Sequence, residues 1–245
     1  MDKIRFKCVV AYDGTKFRGW QSQTGGKTVQ DFIEAKLEKI LKSPTRIHAS
    51  GRTDAGVHAK AQVIHFDAHW KHSAQKLLTA LRSGDFCGVQ LMRLTRAKND
   101  FHARYSAKGK RYVYYIHLGL PLPHEAPYVW TFPRSLDTKK MSDAAKILIG
   151  EHDFTAFSGN RGAKDNPVKT LRKLDIAKRG KRIKITTEGS GYMYKMVRML
   201  VGALTDIGSG KLTNADIKNH LDNRKRTNLI QPAPACGLFL EKVFY

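Results

Sequence analysis

Apolar residues along the chain switch between a period of two and a period near 3.6, and they do so in the same order in each half. Residues 3–12 put Ile4, Phe6, Cys8, Val10 and Tyr12 on one face at period two, the pattern of a half-buried strand. Asp13-Gly14-Thr15 then supplies turn chemistry. Thr28 followed by Asp31 is an acidic variant of the capping box. The helix it starts aligns Val29, Phe32, Ile33, Leu37, Ile40 and Leu41 on one stripe. A short strand over 46–50, a loop over 51–61, a strand over 62–67, a helix near 73–81 and a strand near 89–97 complete the first half. In the second half, 110–117 is rich in Tyr and Val and reads as a strand. Asp137 caps a helix running to 150, with Met141, Ala144, Ala145 and Leu148 facing inward. Residues 171–178 and 181–188 flank Arg179-Gly180 as a hairpin. Met193, Met196, Val197, Leu200, Val201 and Leu204 make a helical stripe, Thr213 with Asp216 starts a further short helix, and 238–244 closes the chain as a strand.

Each half therefore reads β-α-β-β-α-β, a split βαβ arrangement. The expectation is an α+β chain of two ferredoxin-like (RRM-like) units, 1–106 and 107–245, sharing a central antiparallel sheet. Helices cover one face of that sheet and the other face is open to a ligand. At 245 residues such units have enough core to fold without disulfides. Cys8, Cys87 and Cys236 are odd in number, far apart and make no CxxC pair, which fits a reducing cytoplasm.

Charge narrows the partners. Lys and Arg number 44 against 21 Asp and Glu, a formal net charge of +23. Such a chain suits nucleic acid or an acidic membrane, unless it is basic only for solubility. The membrane fits poorly: the most apolar segment, 193–207, contains Arg198 and Asp206 and is too short to span a bilayer. Met1-Asp2-Lys3-Ile4-Arg5 has no apolar h-region, so no secretory signal is predicted. The reading is a cytoplasmic nucleic-acid partner.

The segment Ser50-Gly51-Arg52-Thr53-Asp54-Ala55-Gly56-Val57-His58-Ala59 lies between two predicted strands. Its small residues allow backbone to approach a ligand closely. One carboxylate, Asp54, sits among Arg52, His58 and Lys60, and a carboxylate among cations is held ionised, the state a nucleophile needs. The competing reading is a turn aspartate that only caps local N–H groups.

Residues 51–59 resemble the active-site motif of the tRNA pseudouridine synthase A family. Further matching segments follow in the family's order: Tyr12-Asp13-Gly14, Gly19-Trp20-Gln21, Asp100-Phe101-His102-Ala103-Arg104, Lys110-Arg111-Tyr112, His152-Asp153-Phe154-Thr155, Met196-Val197-Arg198, Val201-Gly202, Ala233-Pro234-Ala235 and Gly237-Leu238. The resemblance implies a nucleophile at Asp54, a ring packing against the target base at Tyr112, and a basic partner for the carboxylate at Arg198. It also implies that Arg52 enters the stem as the nucleotide leaves it. A homodimer and a substrate in the anticodon stem–loop of tRNA, at positions 38 to 40, are implied in the same way.

The chemistry fits these residues. The N1–C1′ bond breaks, the uracil turns and a C5–C1′ bond forms, so the reaction is redox-neutral, consumes no water and requires no cofactor or metal. Neither GxGxxG nor a P-loop is present. The target nucleotide must leave the stack at a cost of a few kcal/mol, and stacking on Tyr112 returns roughly 1–3 kcal/mol.

From the residues alone, Arg198 sits on the shoulder of its stripe as a rim arginine would, and Tyr112 belongs to an aromatic strand run that could equally pack in a core. His58 with Asp54 lacks the third ligand a metal site needs, and it joins Arg52, Tyr112 and Arg198 in the candidate substrate-binding set. Lys108, Lys110, Arg111 and the 178–184 run are candidate phosphate contacts or a solvated face. Leu81-Arg82-Ser83-Gly84-Asp85-Phe86-Cys87 departs from the Asn-rich, Leu-Pro-ending segment of many relatives, which bears on local loop structure. The alternatives are a non-catalytic RNA-binding or RNA-folding protein, which would tolerate Asp54→Asn, and a metal-dependent nuclease, which would need clustered carboxylates.

Overall fold

The computed structural model describes residues 3–84, 87–159 and 166–245; Asp85 and Phe86 of the atypical 81–87 segment lie outside the described residues. The chain is mixed α and β and divides into two compact units, Met1–Lys108 with Phe239–Tyr245, and Gly109–Leu238. No helix of the described residues is long and apolar enough to cross a membrane.

The first unit contains β1 (Ile4–Tyr12), α1 (Val29–Leu41), β2 (His48–Ala49), β3 (His58–Ala68), α2 (Ala74–Leu81) and β4 (Val89–Arg96), and it takes in most of the final strand, β10 (Leu238–Phe244). β1 runs antiparallel between β4 and β3. The remaining edge of β3 is shared: β2 pairs antiparallel at Ile64 and His65, and β10 pairs parallel at His58 and Ala59. β3 therefore begins at His58, within the stretch expected to be loop. Lys60 and Gln62 hide the strand period there, and only the partners Tyr12 and Leu240 reveal it.

Phe6, Cys8 and Val10 are fully buried on one face of β1, with Ile33 and Leu37 of α1 and Leu77 and Leu81 of α2 among the core residues. The predicted capping box closes as drawn: the Thr28 hydroxyl accepts from Asp31 N, and the Asp31 carboxylate accepts from Thr28 N at 3.3 Å. The apolar stripe of α1 is narrower than its sequence pattern, because Phe32, Ile40 and Leu41 are only half-buried.

The second unit runs β5 (Gly109–Leu118), β6 (Trp130–Phe132), α3 (Thr138–Leu148), β7 (Gly150–Asp153), β8 (Val168–Arg179), β9 (Arg182–Gly189), α4 (Met196–Gly208) and α5 (Asn214–Asn223). β5, β9, β8 and β7 follow one another antiparallel, and β6 lies parallel to the end of β5. The hairpin turns at Gly180-Lys181, one residue later than Arg179-Gly180, because Arg179 still pairs with Arg182. β6 and β7 are too short to show a period. Met141, Ala144, Ala145 and Leu148 are the buried face of α3.

α4 is buried almost all round, and Arg198 is one of its few half-buried positions. The chain at 231–233 presses against it so closely that a Cβ on Gly202 would stand 2.0 Å from the Gln231 carbonyl oxygen. In an open helix Gly→Ala stabilises by roughly 1 kcal/mol. Here Gly202→Ala is expected to destabilise by about 1–3 kcal/mol through overpacking, measured as a lower midpoint in chemical denaturation; a stabilised variant would contradict this packing.

Candidate active site

The 50–57 loop joins β2 to β3, and its backbone is fixed from several sides. At its start the Ser50 amide donates to Val63 O at 2.8 Å, and the buried Ser50 hydroxyl donates to Gln62 Oε1 at 2.6 Å. Gln62 returns a bond from Nε2 to Gly51 O at 2.9 Å. At its centre Thr53 is held twice: its hydroxyl bonds the Tyr12 hydroxyl at 2.8 Å, and its carbonyl accepts from Trp20 N at 3.0 Å. The Asp54 carbonyl accepts from Val57 N at 3.1 Å, closing the turn.

The two anchors on Thr53 come from Tyr12-Asp13-Gly14 and Gly19-Trp20, the sequence segments singled out near the N-terminus. Trp20 is buried and packs on Tyr12 with centroids 5.8 Å apart. Gly19 has φ +88°, and a Cβ there would stand 3.0 Å from the Thr53 carbonyl and 3.1 Å from Ala55 N. Burial raises the pKa of the Tyr12 hydroxyl well above the usual phenol range, so it stays a neutral partner for Thr53. The side chains of the same loop divide by exposure: Thr53 and His58 are buried, Asp54 is half-buried and Arg52 is exposed.

His58 is 1% exposed. Its Nδ1 accepts from the Gly14 amide at 3.1 Å and lies 3.3 Å from an Asp13 carboxylate oxygen, while its ring stacks on Phe239 at 4.5 Å. It ties the loop's end to the turn after β1 and to β10. Among the described residues no three His, Cys, Asp or Glu side chains are placed to hold a metal ion.

Tyr112 and Arg198 belong to the second unit. Tyr112 lies on β5 opposite Thr187, 7% exposed, with Tyr192 edge-on at 5.2 Å and the Tyr192 hydroxyl bonded to Thr187 Oγ1 at 2.9 Å. Arg198 donates from Nε to Ala233 O at 2.6 Å, and Ala233 N donates back to Arg198 O at 2.9 Å. The Tyr114 hydroxyl donates to the next carbonyl, Pro234 O, at 2.8 Å. Ala233-Pro234 is thus tied both to Arg198 at the start of α4 and to Tyr114 on β5.

One constellation was not read from the sequence. Asp100-Phe101-His102-Ala103-Arg104 is fastened by the chain itself. Arg5 donates to Phe101 O at 3.1 Å and also to Asn99 O, and Tyr245 donates to Ala103 O at 2.7 Å. Buried His65 accepts the Ala103 amide on Nδ1 at 3.1 Å. Its ring stacks on His48 at 5.0 Å and meets His102 edge-on at 4.5 Å. The available signal was His65 on the opposite face of β3 from Ile64 and Phe66, a polar residue in an otherwise apolar run.

A profile of the family described as tRNA pseudouridine synthase matches residues 8–106 and 144–245. A tRNA pseudouridine synthase A of Listeria monocytogenes serotype 4a is 41% identical over 98% of this chain and 99% of its own length. The chain belongs to the tRNA pseudouridine synthase A family. Proteins of the same name from Mesorhizobium japonicum and Bacillus licheniformis are each 38% identical, over 98% and 99% of this chain and 99% of their own lengths. Arg52, Asp54, His58 and Arg198 fall inside the profile's matched stretches and Tyr112 falls between them, within the near-full-length similarity to the relatives. Among solved structures a Cbf5-Nop10-Gar1 complex overlaps 82% of this chain and 45% of its own at 15% identity and a TM-score of 0.37, too distant to argue from.

Two outcomes are expected from this geometry. Gly19→Ala forces a left-handed backbone against Thr53 and should cost about 1–3 kcal/mol; turnover on tRNA should fall further than the lost folded fraction explains, and unchanged turnover per folded molecule would separate Gly19 from the loop. His65 has its pKa lowered from 6.5 to about 4, first by burial, then by His102, His48 and Arg5, with Asp67 opposing. The unfolded chain takes up that proton first, so the His65 contribution is intact above about pH 6.5 and shrinks as pH falls toward about 4. Denaturation midpoints across that window should slope accordingly, and His65→Asn, which keeps an acceptor without titrating, should flatten the slope.

Proposed function

We propose that the chain isomerises uridine to pseudouridine in transfer RNA, with Asp54 as the nucleophile and the anticodon stem–loop, positions 38 to 40, as the target. The observation that carries this reading is the division of labour in the 50–57 loop. Its backbone is held at Ser50, Thr53 and Asp54 by buried partners, while the Asp54 side chain is only half-buried and exposed Arg52 stands beside it. A fixed backbone lets a carboxylate meet a reacting carbon without first being ordered, which is where positioned groups gain rate.

The target nucleotide leaves the helical stack at a cost of a few kcal/mol. Arg52 is assigned to the vacated space and the neighbouring phosphate, and Tyr112 to the face of the extruded uracil, where stacking returns about 1–3 kcal/mol. Asp54 then attacks the nucleotide; the N1–C1′ bond breaks, the base turns within the site, C5–C1′ forms and the bond to Asp54 is released, and C5 loses a proton while N1 takes one up, so the product is an isomer of the substrate. Arg198, oriented through Ala233, is assigned as the basic partner of the Asp54 carboxylate. His58 supports the loop from behind through Gly14 and Phe239. The net charge of +23 supports tRNA as the macromolecular substrate in the cytoplasm. The β4-β1-β3 order, with β2 antiparallel on β3, supports a ferredoxin-like first unit. A homodimer is proposed from the family resemblance.

The test incubates the full chain with unmodified tRNA in the presence of chelator and maps pseudouridine by base-resolved sequencing. Wild type should convert uridines at positions 38 to 40. Asp54→Asn should lower conversion by at least about a thousandfold while still binding the RNA. Equal conversion by both proteins, or none by wild type, would remove the assignment.

A further inference from the structure

The turn that follows β4 carries a surface that the isomerisation at Asp54 does not use. Tyr105 is 78% exposed, yet it is not a loose side chain. Its ring lies 4.3 Å from the His102 ring, inclined by 32°. The His102 Nδ1 accepts the amides of Arg104 at 3.1 Å and Tyr105 at 3.3 Å, and the turn is locked by Ser106 N to His102 O at 2.9 Å. Behind His102 stands buried His65, and exposed His48 touches both rings, so the phenol ring is backed by a cluster of three histidine rings anchored in the interior at His65. A rigidly backed and mostly exposed aromatic ring loses little conformational entropy when a second flat ring covers it.

Positive charge surrounds it. Arg104 lies 6.0 Å from the Tyr105 ring centre. The same turn borders a cavity of about 330 Å³ lined by Lys7, Arg96, Ala97, Lys98, Asp100, Phe101 and Ser106, in which three cations face one carboxylate. The Lys7 ammonium is steadied there over Tyr245 at 3.8 Å and Phe101 at 4.8 Å. Seven residue steps along β3 separate His58 at the end of the Asp54 loop from His65 beneath this turn, roughly 23 Å at about 3.3 Å per step. A nucleotide on Tyr105 is therefore a different nucleotide from the one at Asp54. A second copy of this chain docked through this same patch is a poor occupant, because it would set Lys7, Arg96 and Lys98 against the same cations of the other copy.

We propose that Tyr105, with Arg104 beside it and Lys7, Arg96 and Lys98 in the adjoining cavity, is a second RNA contact of the first unit that stacks an unpaired base and holds the flanking phosphates. The assignment rests on the reading of the chain as an RNA-modifying enzyme and extends its footprint beyond the target nucleotide.

The experiment measures the affinity of the full chain for unmodified tRNA, and kcat and KM separately, for wild type, Tyr105→Phe, Tyr105→Leu and Tyr105→Ala. Loss of a stacked base should raise Kd and KM by about 5- to 150-fold in the Leu and Ala variants with kcat unchanged, while Phe stays near wild type. Lys7→Gln and Lys98→Gln should each lower the slope of log affinity against log salt by about one. The Leu variant, which keeps apolar bulk, guards against a folding effect in Ala. Wild-type affinity in the Leu variant overturns the proposal, as does equal loss in Phe. A change of oligomeric state by light scattering with unchanged RNA affinity overturns it in favour of a protein partner. Because affinity is read apart from product, absence of pseudouridine with wild type would defeat the isomerase reading while leaving this comparison intact.

Discussion

The grip on Thr53 is the interaction from which the rest of the site follows. Its hydroxyl meets the Tyr12 hydroxyl and its carbonyl meets Trp20 N, both in a region closed to water. A buried polar group left without its partner costs about 1–3 kcal/mol, so each bond removes alternative loop conformations. Gly19 is required because any side chain there would occupy the space of Thr53 and Ala55. The strand end, the turn after it and the loop before β3 thus form one unit whose product is a fixed Asp54 backbone.

The same economy of polar groups organises the opposite face of β1 and β3. Phe6, Cys8 and Val10 bury one side of β1, whereas Arg5 and Lys7 on the other side grip the returning chain. Arg5 also forms a two-pronged pair with Asp67, at 2.8 and 2.7 Å, which raises its own pKa and lowers that of the aspartate. His65 stays neutral because burial and its histidine neighbours disfavour a proton, and only the neutral ring has a lone pair for Ala103 N. On this face Arg5 is paired with Asp67 and the Lys7 ammonium lies over the Tyr245 and Phe101 rings.

In the second unit the constraint is steric. α4 is buried on nearly every side, with 231–233 lying across it against Gly202, while Gly237 sits against Tyr115 O and the Tyr114 ring. Arg198 emerges from this packing already oriented by Ala233. An arginine on the shoulder of an apolar stripe thereby becomes a fixed cation.

What the sequence determined by itself was whatever depends on residues within a turn or two of one another. The capping boxes at Thr28 and Thr213, the periods of β1 and α3, the hairpin near Gly180 and the loop carrying Asp54 are all local, and propensity and capping act over that range. The tertiary structure alone decided what depends on distant partners. Tyr12 meets Thr53 across 41 residues, Arg198 meets Ala233 across 35, and Tyr245 meets Ala103 across 142. β3 gained His58 and Ala59 because β10 arrived beside them, and His65 became an acceptor because Ala103 was brought over it. Hydrogen bonds and close packing need atoms within a few ångströms, and the sequence states chemical types in order without stating which distant ones will be brought that near.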